Sequence, residues 1–280
     1  MKFSPFNFGG ILNQNFEKAK IAILPVPFEE STDCKKGTID GPEAIISASR
    51  EIDEIYQKEI PIFTFDEIEL EGDSTREKME DLGNFVFQIL NKKKIPVLIG
   101  GEHTISFGSI LGFKKFYQNN FSILSLDAHC DLLDEYKKSK LNHATVMRRI
   151  RELGIEIVFA GVRVMDDQTL KYLKKEKEKI KIFKGPKIPL KEILRKLKKN
   201  VYLSFDFDVL DPSIMPSVSN PVPGGLKFGD VIILIRELGK SKKIIGADFV
   251  EFSPIPGFLP PQILAAKLIW EILDAILKRV

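Results

Sequence analysis

Ser125-Leu126-Asp127-Ala128-His129-Cys130-Asp131 closes the apolar run Phe121 to Leu126. The run reads as a buried strand and the heptapeptide as its polar exit. In an extended chain successive side chains alternate faces, so Asp127, His129 and Asp131 are expected to point the same way. Two carboxylates and an imidazole at a strand end make an oxygen- and nitrogen-rich metal site. A second stretch of the same kind, Ser204-Phe205-Asp206-Phe207-Asp208, ends another apolar run far downstream. Two separated strand ends offering the same ligand types imply one shared site.

Outward from these stretches the pattern repeats. Apolar runs at 20–26, 95–99, 121–126, 155–160, 180–183, 201–205 and 244–250 read as strands, with a short extra one at 61–65. Between them lie segments of helical spacing. Met79, Leu82, Phe85, Val86, Ile89 and Leu90 mark one helix over 74–94, with Ser74 as N-cap and Glu77 as its capping-box partner. Pro42 opens a helix over 43–50, and others are expected after His103 through Tyr117, at 144–153, 166–179, from 190, from 227 and at 262–277. The charge run Lys174 to Lys179 reads as a solvated helix face. This alternation, about eight times over, predicts an α/β protein with a mostly parallel sheet covered on both faces. No linker, repeat or low-complexity segment divides it, so 1–280 is expected to form one domain.

Composition narrows the function classes. A chain of 280 residues with 44% hydrophobic content can bury a sizeable core. Its 42 basic and 39 acidic residues are interspersed, which speaks against nucleic-acid or membrane-surface binding. The first ten residues carry no continuous apolar segment, and no run approaches a membrane span. Two cysteines, Cys34 and Cys130, are too few for a disulfide framework, so a cytoplasmic setting is expected.

The site candidates are His103, Asp127, His129, Asp131, Asp206 and Asp208. Each alone has an ordinary reading, such as a helix-capping histidine or a strand-end carboxylate bonded to backbone amides. Jointly those readings fail. The chain has only three histidines, and two of them follow strands directly, beside carboxylates. Four aspartates without a compensating basic cluster repel one another unless cations neutralise them. Six ligands exceed the three or four of one zinc site, whereas two divalent ions sharing carboxylates satisfy the count. Ligation without thiolate favours Mn²⁺.

The stretches GGEHTISFG, SLDAHCDLLDEY and SFDFDVLDP resemble the three signatures of the ureohydrolases, the arginase and agmatinase family. The resemblance runs from PVPFEESTDCKKGTIDGPEAI to VEFSPIPG, nearly the whole chain. It implies a three-layer α/β/α arginase-like fold, two Mn²⁺ per chain, release of urea from a small cationic guanidino substrate, and a homotrimer or homohexamer. By matching motifs, His103 and Asp131 are implied as ligands of one ion and His129 and Asp208 of the other, with Asp127 and Asp206 bridging. His143, in Leu141-Asn142-His143-Ala144-Thr145, matches the proton-shuttle histidine, and its intrinsic pKa suits that task. Its ordinary alternative is a loop or N-cap histidine. Glu251 matches the glutamate that grips the guanidinium, to which a carboxylate can offer two parallel acceptors.

Agmatine, giving putrescine, is the first expectation, because the loop 137–143 is short and the following Ala-Thr-Val-Met-Arg-Arg resembles agmatinases. Aminopropylagmatine, arginine or a guanidino acid is the alternative. Three departures from the family pattern bear on this choice. Glu102 stands where Asp is usual, changing the reach of the group beside His103. Ser217-Val-Ser-Asn-Pro221 replaces Gly-Thr-Gly-Thr-Pro, which restricts the backbone there. The stretch 257–262 replaces one with an Asp and a Thr-Ala, which is expected to leave Glu251 with less support. Two readings from other classes are a single-zinc deacetylase, which needs a tandem His-His pair that this chain lacks, and a metal-stabilised protein without turnover.

Overall fold

In a computed structural model of the chain, residues 5–32, 35–52 and 61–277 are described; Cys34 and the first four residues lie outside them. The apolar runs form one eight-stranded sheet: β1 (Ile21–Val26), β2 (Ile62–Thr64), β3 (Ile95–Gly100), β4 (Ser122–Leu126), β5 (Glu156–Val162), β6 (Ile180–Lys184), β7 (Asn200–Asp206) and β8 (Lys243–Val250). Their order is β2-β1-β3-β8-β7-β4-β5-β6, and every strand pair in it is parallel. Parallel strands need crossovers, which the helices supply: α1 (Gly41–Ser49), α2 (Thr75–Asn91), α3 (Ile105–Tyr117), α4 (Val146–Glu152), α5 (Asp167–Glu176), α6 (Leu190–Lys196), α7 (Phe228–Ser241) and α8 (Pro260–Leu277).

Two apolar cores, one on each face, make the arrangement three-layered. Alternation sends Ile21, Ile23, Val97, Ile99, Leu124 and Leu126 to one face, under α1, α6, α7 and α8. Ala22, Leu24, Leu98 and Ile123 go to the other, under α2, α3 and α4. Full burial of β1 and β4 on both faces explains why they read as unbroken apolar runs rather than alternating ones.

Local signals behave as their chemistry requires. Ser74 caps α2, accepting from the Glu77 amide at 3.3 Å while the Glu77 carboxylate accepts from the Ser74 amide at 3.0 Å. The last helix starts two residues before the expected Gln262, since Pro260 and Pro261 fit a first turn whose N–H groups have no helical partner. The expected helix over 166–179 is helical only over 167–176, capped by Asp166 on the Thr169 amide at 2.9 Å.

The chain leaves β3 and re-enters the sheet at β4, skipping the two central places later filled by β7 and β8. The four neighbours β3, β8, β7 and β4 therefore end side by side, and their carboxyl ends open on the crevice where such sheets place ligands.

Candidate metal centre

Each of those four strand ends delivers part of one cluster. His103 follows β3, Asp127 to Asp131 follow β4, Asp206 ends β7 with Asp208 in the short 3-10 turn after it, and Glu251 follows β8. Asp131 does not reach the site by strand alternation, because β4 stops at Leu126 and Asp131 has φ +50°. A left-handed turn brings it back beside His103, and Glu251 shares this backbone at φ +64°. Non-glycine residues accept this conformation at a cost, and such positions concentrate at functional sites.

The side chains converge closely. His103 Nδ1 lies 3.0 Å from Asp131 Oδ2 and 3.5 Å from both Asp127 Oδ2 and Asp206 Oδ2. His129 Nδ1 lies 2.7 Å from Asp208 Oδ2 and 3.7 Å from Asp127 Oδ1. Two groups result, His103–Asp127–Asp131 and Asp127–His129–Asp208, in each of which the ligating atoms lie within 4.8 Å of one another. Asp127 belongs to both. Asp206 stands beside the first, with Oδ1 accepting the Asp208 amide at 2.8 Å.

A buried relay aims His103. Its Nε2 meets Ser204 Oγ at 3.1 Å, that hydroxyl donates to Asp248 Oδ1 at 2.8 Å, and Tyr202 OH donates to Asp248 Oδ2 at 2.7 Å. With the Ser204 proton given to the carboxylate, Ser204 Oγ must accept from His103 Nε2–H, which leaves Nδ1 with its lone pair toward the aspartates. That Nδ1 and the facing Asp127 Oδ2 are buried without a well-formed hydrogen bond, although Asp131 Oδ2 stands 3.0 Å from Nδ1. An orphaned imidazole lone pair opposite an orphaned carboxylate oxygen is an arrangement that a cation resolves, so the residues fit a metal.

The electrostatics agree. Burial, then Asp208 and Asp131, push the Asp127 pKa up to about 7. Burial and the same kind of repulsion hold Asp206 well above the carboxylate range. For Asp208 the upward push of burial is outweighed by the bond and charge of His129, so its pKa falls. Burial alone would lower His103 and His129, but their aspartate neighbours raise them to about 10 and about 11, so without a cation each ring takes up a proton that a bound metal would replace at the lone pair. Among the described residues Arg163 forms no ion pair with these aspartates, although their charges act on it. Its terminal nitrogens donate to the carbonyls of Gly161, Asp208, Val209 and Val222 at 2.7–3.1 Å. Arg163 thus holds the turn after β7 in place. Cys130 is buried in the apolar core and belongs to neither ligand group.

A cavity of about 280 Å³ lies over the cluster, lined by His129, Asp131, Asp206 and Asp208, by Tyr136, His143 and Ala144, and by Ser219, Asn220 and Glu251. Both oxygens of Glu251 have donors: the His103 amide at 2.7 Å and Ser219 Oγ at 2.8 Å. The expectation that the 257–262 departure leaves Glu251 poorly supported is thereby overturned, since Ser219 on the other departing loop supports it. Neither Ser217 nor Ser219 takes a positive φ, so the glycine replacements introduce no strain there. Burial first of all drives the Glu251 pKa up to about 8. The His143 ring stands edge-on to Tyr136, and its Nδ1 meets Ser31 Oγ at 2.8 Å. Burial lowers its pKa, opposed by the charges of Asp131 and Glu102. Ser31, Ser204, Asp248 and Arg163 were not legible as site residues, because each acts through a neighbour that only the fold supplies.

A parallel α/β sheet with this carboxylate–imidazole cluster at its carboxyl edge defines a metal-dependent hydrolase. The chain belongs to the arginase family, whose model matches residues 19–274. It is 34% identical over 266 residues to N(1)-aminopropylagmatine ureohydrolase of Thermus thermophilus, spanning 91% of this chain and 89% of that one. It is 31% identical to agmatinase of Halalkalibacterium halodurans, spanning 92% and 93%. Among solved structures it resembles agmatine ureohydrolase of Thermoplasma volcanium, with TM-score 0.85, 26% identity and coverage of 99% and 96%. Arginase of Bacillus subtilis superposes with TM-score 0.79 at 25% identity, covering 91% and 98%. The chain is a metal-dependent amidine hydrolase of the ureohydrolase type.

Proposed function

We propose that the protein hydrolyses the guanidinium of a small amine, agmatine first of all, to urea and putrescine with two Mn²⁺ held at the strand ends. His103 and Asp131 would hold one ion and His129 and Asp208 the other, with Asp127 and Asp206 between them. Bound there, the ions supply Lewis acidity and lower the pKa of water near neutral pH. The observation that carries the choice of substrate is the cavity lining, which contains acidic and neutral polar residues and neither Lys nor Arg among the described residues. Such a wall attracts a cation and offers no Lys or Arg to pair with the carboxylate of arginine or a guanidino acid.

Glu251 orients the substrate. Its carboxylate has lone pairs beyond those used by the His103 amide and Ser219, and these accept guanidinium N–H groups. His143 carries a proton on its ring to the departing amine. The balance is one guanidinium and one water to one neutral urea and one ammonium. Aminopropylagmatine is the second reading, supported by the relative at 34% identity that bears its name. A cytoplasmic setting and a homotrimer or homohexamer complete the proposal, on the cysteine usage and the family resemblance.

The test is urea release with Mn²⁺ from agmatine, aminopropylagmatine, arginine and guanidinobutyrate in parallel. Turnover of the two amines above the two acids is expected. No urea from any of them overturns the reading.

A further inference from the structure

A cluster behind His143 has no place in the reaction so far. Glu102 is fully buried, and its Oε2 accepts the backbone amides of Glu30 at 2.7 Å and Ser31 at 2.6 Å. Its Oε1 accepts the Thr104 hydroxyl and, at 2.8 Å, the Ser31 hydroxyl. Four donors around one side chain are the surroundings of a carboxylate, which only accepts. The contact depends on close backbone approach: a Cβ at Gly101 would stand 2.1 Å from the Phe28 carbonyl oxygen. Glycine therefore lets the turn after β3 lie against the segment that carries Ser31.

Ser31 Oγ has one proton and two lone pairs. The proton goes to Glu102, and one lone pair takes the His143 backbone amide at 3.3 Å. What remains is a lone pair, 2.8 Å from His143 Nδ1. Two lone pairs cannot bond each other, so Nδ1 must carry a proton.

We propose that Glu102 and Ser31 are positioning residues that lock neutral His143 as the Nδ1–H tautomer, so that Nε2 alone takes and returns the catalytic proton. Free histidine prefers the opposite tautomer, with the proton on Nε2, so the lock changes which nitrogen is available. Asp131, Glu102, His103 and Lys137 act on His143 through their charges, and the Tyr136 ring stands beside it. The positioning role rests on the reading of His143 as the proton carrier; the tautomer itself does not.

The experiment labels the three histidines with ¹⁵N and records the imidazole nitrogens in protein loaded with diamagnetic Zn²⁺ at about pH 8, where an unperturbed histidine is neutral. A His143→Asn variant identifies its signals. Protonated Nδ1 and unprotonated Nε2 are expected for His143, shifting toward Nε2–H in Ser31→Ala and returning in Ser31→Thr. A wild-type His143 protonated at Nε2, or a Ser31→Ala spectrum like the wild type, overturns the proposal. In Ser31→Ala the Ser31 amide still anchors the segment to Glu102, so an unchanged Tm shows that the fold is intact.

With the guanidine that is turned over, Ser31→Ala should lower kcat by about 10- to 100-fold at unchanged KM, a part of what general acid–base catalysis contributes. Wild-type kcat in that variant overturns the positioning role. If no guanidine is turned over, the proposed function fails, and the nitrogen spectra still decide the tautomer.

Discussion

Ser204→Ala tests whether His103 is built as a metal ligand. Ser204 is 1% exposed, and its hydroxyl sits between His103 Nε2 at 3.1 Å and Asp248 Oδ1 at 2.8 Å. Removing one oxygen leaves an imidazole N–H and a carboxylate oxygen facing each other across a gap, both buried. A buried group stripped of its partner costs about 1–3 kcal/mol, more when it is charged. A loss of about 2 kcal/mol in the metal-free protein lowers Tm by about 4–8 °C. The effect on metal is separate. Partners that orient a ligating histidine contribute about 10- to 100-fold to affinity, or about 1.4–2.7 kcal/mol. Titration of Mn²⁺ against a fluorescent chelator reads that loss directly, and scanning calorimetry reads the stability. Tyr202→Phe is the control. It removes the bonds to Asp248 Oδ2 at 2.7 Å and Ser109 Oγ at 2.8 Å, yet leaves Ser204 against His103. It should lose stability while holding Mn²⁺ nearly as well as the wild type. Wild-type Mn²⁺ affinity in Ser204→Ala, or equal weakening in Tyr202→Phe, refutes the orientation of His103 by Ser204 itself.

Three further outcomes are expected. His143→Ala keeps both metal equivalents by atomic absorption while kcat falls by about 10²- to 10⁴-fold; loss of metal in that variant counts against the proton-carrier role. Ser219→Ala, which strips Glu251 of the donor at 2.8 Å, should raise KM by about fivefold, near 1 kcal/mol, with little change in metal content; an unchanged KM shows that Glu251 needs no such support. The third concerns pH. Asp127 rises from 3.8 to about 7 and Glu251 from 4.5 to about 8 on folding. A carboxylate with a raised folded pKa contributes stability below its unfolded value and loses it as pH climbs through the folded one. The metal-free protein should therefore weaken between about pH 4 and pH 8, while Mn²⁺, which needs deprotonated ligands, stabilises more as pH rises. Thermal melts with Mn²⁺ and with EDTA across that range check it. A metal-induced Tm gain that shrinks with rising pH contradicts the ligand set.

Much of the architecture was legible because β1, β3, β4 and β7 are buried on both faces and spell themselves out as apolar runs, each ended by polar residues. The capping box at Ser74 and Glu77 was legible for a similar reason, since its chemistry is complete within four residues. Asp131 shows the limit. Its type and spacing marked it as a ligand, but the left-handed turn that delivers it is not an extended-strand property. Ser219 shows another. As a glycine replacement it reads as a restriction on a loop, whereas in space it is a donor to Glu251, 32 residues further on.

By itself the sequence determined the eight-fold strand–helix alternation, the layered class and the residue types gathered at the strand ends, because burial pattern and side-chain chemistry are carried by each residue and its near neighbours. Only the tertiary structure decided the strand order. That order places β8 and β7 between β3 and β4 and so makes four distant segments adjacent. It also decided that Nδ1 of His103 and of His129 faces the site, and that Nδ1 of His143 meets Ser31. A tautomer is set by the group on the far side of the ring, Ser204 for His103 and Ser31 for His143, and those partners lie 101 and 112 residues away along the chain.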